Sequence, residues 1–109
     1  EVYAAIYNSG LEVIRGISAD IVNADTYMSY LEKDKVCFFG NGAEKCKSII
    51  TSPNALFMDN IYPLAVNMIP LSERAFVAGA FEDVAYFEPF YLKEFQATIA
   101  KNKVLGGNV

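Results

Sequence analysis

The segment that most narrows the choice of fold is residues 36–50, VCFFGNGAEKCKSII. Val36, Cys37, Phe38 and Phe39 form an unbroken apolar run, β-branched or aromatic apart from the cysteine. Such a run suits a strand covered on both faces in the middle of an α/β sheet. Gly40-Asn41-Gly42 then frees the backbone for a sharp turn, because glycine adopts positive φ readily and asparagine nearly so. A helix is expected next, with Ala43, Cys46 and Ile50 on one face and Glu44, Lys45, Lys47 and Ser48 toward water.

A glycine turn between strand and helix also presents backbone N–H groups to an anion. A full phosphate loop would read GxxxxGK[ST] or GxGxxG, and here only Gly40-x-Gly42 is present. Gly40, Asn41 and Gly42 are therefore the candidate nucleotide-binding residues. The competing reading is a plain structural turn, favoured by the missing lysine and third glycine.

The chain of 109 residues, 53% hydrophobic and 20% charged, has the size and composition of one packed domain rather than a disordered tail. A net charge of −4 with no cluster of Lys or Arg argues against direct contact with RNA or DNA. No apolar run approaches the roughly 18–20 residues of a membrane span. No signal peptide is visible, and the chain opens inside an apparent strand, which implies a start upstream. There is no histidine, which excludes Ser-His-Asp and Cys-His catalysis within the chain. Two cysteines without CxxC spacing, and no histidine, do not make a usual zinc site. No catalytic residue, metal ligand or cofactor is assigned. Cys37 and Cys46 are both expected to point inward, either as a disulfide or, the favoured reading, as small buried apolar residues of a cytoplasmic protein.

Along the chain, VYAAIY (2–7) and LEVIRGI (11–17) read as a hairpin closed by Asn8-Ser9-Gly10, with the glycine left-handed. That register sets Tyr7 opposite Leu11, Ala5 opposite Val13 and Tyr3 opposite Arg15. Both faces are largely apolar, which calls for helices on both sides of the sheet or for a neighbouring domain on one. Ile21-Val22 is a candidate third strand. Asp25 is the expected N-cap of a short helix carrying Tyr27, Tyr30 and Leu31 on one face. Residues 55–58 read as a strand. The longest helix is expected over 63–77, with Pro63 in its first turn, Pro70 bending it from the solvent side and Gly79 ending it. Its stripe of Leu64, Met68, Leu71, Ala75 and Ala78 reads as core. Residues 84–95 read as an extended stretch clamped to the body by Tyr86, Phe87, Phe90, Tyr91 and Leu92, with a frayed tail over 96–109. Asp59 follows a strand and is a candidate to line a cleft, while Glu88 and Lys93 are candidates for partner contact or plain solvation.

Several segments resemble the C-terminal half of the TsaB (YeaZ) family, a subunit of the bacterial machinery for tRNA threonylcarbamoyladenosine. Glu1-Val2-Tyr3-Ala4-Ala5 resembles the first strand of that half, Phe39-Gly40-Asn41-Gly42-Ala43 its strand-turn-helix, and Pro89-Phe90-Tyr91-Leu92-Lys93 its closing Pro-x-Tyr-Leu-Arg/Lys. The resemblance implies an α/β fold, one ribonuclease H-like half of the actin-like ATPase superfamily. Its order would be βββαβαβα over residues 1–95, a mixed sheet with helices packed on it. It also implies a cytoplasmic, non-catalytic scaffold that pairs with the glycoprotease-like TsaD and with the ATPase TsaE, chiefly through an N-terminal unit that these residues do not include. Two other readings stand beside it. One is the nucleotide-binding half of an actin-like ATPase-fold enzyme, using Gly40, Asn41 and Gly42. The other is a self-associating module, a homo-oligomer formed through apolar surface left uncovered.

Overall fold

Six apolar or small residues run without interruption from Val2 to Tyr7, and they form the first strand of a hairpin. The computed structural model describes residues 1–93, and the expected tail over 96–109 lies outside them. Strand β1 (Val2–Tyr7) pairs antiparallel with β2 (Val13–Asp20). A second sheet pairs β3 (Val36–Phe38) in parallel with β4 (Ala55–Phe57), Val36 opposite Ala55 and Phe38 opposite Phe57. Between the two sheets in chain order lies the short helix α1 (Met28–Leu31), and a 3-10 turn at Glu44–Cys46 lies between β3 and β4. A second 3-10 turn, Ala65–Met68, leads into α2 (Ile69–Val77). The content is mixed α/β, as expected. The strands form two separate two-stranded sheets rather than one mixed sheet.

The hairpin register departs from the expected one. Tyr7 faces Val13, Ile6 faces Arg15, and Tyr3 faces Ala19. Between the Ala4–Ser18 and Ile6–Arg15 pairs, β2 spends one residue more than β1, and it does so again before Val13. These are β-bulges, and Gly16 in the strand interior marks the first. The left-handed residue of the turn is Leu11, at φ 62°, and Gly10 is not left-handed. The reason is Asn8. Its side-chain carbonyl accepts from the amides of Gly10 (2.9 Å) and Glu12 (3.0 Å), while its amide donates to the Glu12 carboxylate (2.9 Å), which widens the loop. An exposed leucine at positive φ costs about 1 kcal/mol or more. Leu11→Asn should therefore raise stability by roughly 1 kcal/mol, read as a shift in the urea midpoint without change in slope.

Asp20 ends β2, and Ile21 is exposed, so the third strand at Ile21-Val22 is not formed. Asp25 does not cap α1. Instead Asn23 folds an Asx turn, accepting from the Asp25 amide (2.9 Å) and the Thr26 hydroxyl (3.0 Å), and the position preceding α1 is Tyr27. The inward face of α1 is the expected one: Tyr27 and Leu31 are buried, and Tyr30 packs beside them.

The core is small. Its buried members are Tyr27, Leu31, Cys46 and Ile50, lined by Val2, Ile6, Val22, Val36, Phe38, Ala55 and Phe57. Phe38 stacks on Phe57 at 5.1 Å and meets the Tyr27 ring at 5.6 Å. Asn54 ties the pieces together. Its side-chain amide donates to the Leu31 carbonyl at the end of α1 (2.8 Å), and its own carbonyl accepts from the Val36 amide (2.9 Å).

Three expectations of burial fail. Cys37 and Phe39 are exposed, so β3 is covered on one face only, and Cys46 alone of the two cysteines points inward as a free thiol. The expected long helix is divided. Pro70 falls in the first turn of α2, where its missing N–H leaves no bond unmade, and Pro63 precedes the helical residues. The stripe Leu64, Met68 and Leu71 is exposed, and among the described elements the main packing partner of α2 is the 3-10 turn that precedes it. Gly79 does end the helix, at φ 68°. The Ala80 amide donates to the Ala75 carbonyl (2.9 Å) and the Gly79 amide to that of Phe76 (3.0 Å), the two bonds of a Schellman stop. Beyond it, Tyr86, Phe87, Phe90 and Tyr91 are exposed rather than clamped.

Candidate functional site

The turn at Gly40-Asn41-Gly42 leaves β3 with both glycines constrained, Gly40 by its backbone conformation and Gly42 by a neighbouring side chain. Gly40 sits at φ 98°, a conformation that side-chain-bearing residues rarely adopt. Gly42 lies against β1, and a Cβ there would stand 3.0 Å from the Val2 Cγ1 atom. The Gly42 carbonyl accepts from the Cys46 thiol at 3.3 Å, and the Gly40 carbonyl from the Ala43 amide at 3.2 Å. Residues Glu44–Cys46 then make a single 3-10 turn, not the helix expected from the sequence, so no aligned helix dipole points at the loop.

The loop nevertheless lines a groove of about 730 Å³ with Tyr3, Phe39, Lys45 and Tyr62. Its walls are mostly apolar and aromatic, with Glu1, Asn41, Lys45 and Asn67 among them; it lies within the size range of small-molecule sites and is open to solvent. The Lys45 ammonium donates to the Glu1 carbonyl (2.7 Å). Lys93 donates to both Glu1 carboxylate oxygens (2.7 and 2.6 Å), and this hydrogen bond holds the Glu1 carboxyl below its usual range. Chemically the groove offers the aromatic faces of Tyr3, Phe39 and Tyr62 with the polar side chains of Asn41, Lys45 and Asn67 beside them. Asp59 does not join it: its carboxylate pairs with Lys47 (2.6 Å), which also meets Glu44 (2.8 Å). Glu88 is exposed. Among the described residues no three His, Cys, Asp or Glu side chains gather as a metal site, and no helix is long and apolar enough to cross a membrane.

A second constellation is one that the sequence pattern does not announce. Asp20 accepts from the Arg15 guanidinium through both carboxylate oxygens, from the Ser18 hydroxyl (2.8 Å) and from the Tyr27 hydroxyl (2.7 Å). The Arg15 guanidinium also lies 5.4 Å from the centroid of the Tyr27 ring. In a regular strand Arg15 would point away from Ser18 and Asp20. The bulge shifts the alternation by one and brings it to their side. Gly16 inside an otherwise good strand is the one sequence signal of it. The cluster fastens the end of β2 to α1, and it leaves the Arg15 Nε as a buried donor without a partner.

These contacts set the titration of the group. Burial disfavours the Asp20 carboxylate, but hydrogen bonds from Arg15, Tyr27 and Ser18 outweigh it and hold its pKa below the ordinary value. Burial, reinforced by the hydrogen bond and charge of Asp20, pushes the Tyr27 hydroxyl up to about 12. A tyrosine whose folded pKa lies above the unfolded value stabilises fully below about pH 10, and the contribution is lost as pH rises toward 12. In an ultraviolet titration of the tyrosines, Tyr27 should ionise last, and Tyr27→Phe should delete that final step.

Comparison with family models, with curated proteins and with solved structures finds no match to this chain.

Proposed function

We propose that this chain is a ribonuclease H-like unit of a TsaB-like scaffold, a cytoplasmic non-catalytic subunit in the synthesis of threonylcarbamoyladenosine in tRNA. The observation that carries the reading is the uncovered apolar surface. Tyr3, Tyr7, Ile14 and Ile17 on the hairpin are exposed, as are Leu64, Met68, Leu71, Phe76 and Phe81 in and around α2. Apolar surface on this scale suits a unit that rests against others. The motif resemblance at residues 39–43 and 89–93 supplies the choice of family, and with it the partners TsaD and TsaE.

The test is reconstitution. The chain is mixed with TsaD and TsaE homologues, tRNA and the threonylcarbamoyl donor, with and without an N-terminal ribonuclease H-like unit. Modified adenosine should appear only when that unit is supplied. Modification that proceeds equally without the chain would end the proposal.

The groove beside Gly40, Asn41 and Gly42 favours a second reading, a nucleotide site. Calorimetry with ATP and ADP separates the two. Micromolar binding abolished by Asn41→Ala, with the melting temperature unchanged, would support the site. Gly42→Val is a poor probe because the new side chain meets Val2.

A further inference from the structure

We draw no further inference here: the strongest candidate, the uncovered apolar face formed by α2 and the segment after it, is the surface on which the proposed scaffold role already rests, and nothing in the structure shows what covers it.

Discussion

Leu31→Ala is expected to cost about 3 kcal/mol, within the roughly 2–5 kcal/mol seen when a buried leucine is truncated. Leu31 is 1% exposed and is the one fully buried large side chain among the described residues. It belongs to the cluster that joins α1, the Glu44–Cys46 turn and the parallel pair, with Tyr27, Cys46 and Ile50 as the other buried members. A core this small has few other contacts to collapse into the void, so transfer and cavity costs both apply. Urea denaturation followed by circular dichroism should show a large fall in the midpoint. Leu31→Met, which nearly conserves volume, should lose under about 1.5 kcal/mol. Equal and small effects from both variants would mean that this cluster does not hold the fold.

Asp20→Ala should be the next most damaging change, at about 2–3 kcal/mol, scaled down from the figure for buried pairs. It removes the acceptor of three side-chain donors at once and leaves Arg15 with no counter-charge. A fully buried pair broken from one side loses about 3–5 kcal/mol. Here the Asp20 side chain is 10% exposed but that of Arg15 is 29%, so water screens part of the loss and the lower figure applies. The pH dependence has a definite sign. Asp20 has a folded pKa below its unfolded value, so its contribution is complete above about pH 4 and disappears as pH falls through the folded pKa. Wild-type stability should therefore decline on acidification below about pH 4, and Asp20→Asn should flatten that slope.

The sequence disclosed the first strand and the cores of β3 and β4, though not the end of β2 at Asp20 or the absence of a strand at Ile21-Val22, and it disclosed which residues around α1 and the 44–50 turn face inward, because those facts are local. Tyr27 with Leu31, and Cys46 with Ile50, lie on shared faces whatever surrounds them. The left-handed stop at Gly79 was legible for the same reason. Hairpin register was not, since Asn8 bonds across the loop and moves the left-handed position to Leu11. The Asp20 cluster was hidden behind a bulge that changes which side chains share a face. Apolar runs at Val36, Cys37, Phe38 and Phe39, and at Leu64, Met68 and Leu71, declare a preference for burial. They do not say that a covering element exists, and in the described residues Cys37, Phe39, Leu64, Met68 and Leu71 are exposed. Pro70 could bend a helix or begin one, and composition alone does not separate these. Of the groove, the sequence pointed to Gly40, Asn41 and Gly42 but not to Tyr3 and Tyr62, which reach it from distant positions.

The division into two pairs of strands has a consequence for the backbone itself. With only two strands to a sheet, each described strand is an edge, and one side of its peptide ladder bonds to no neighbouring strand. Amide exchange should find the amides of Val36 and Met58, which bond across the pair, and that of Ala55, which bonds the Ser52 carbonyl, slower than those of Cys37 and Phe57, which face away from the partner strand.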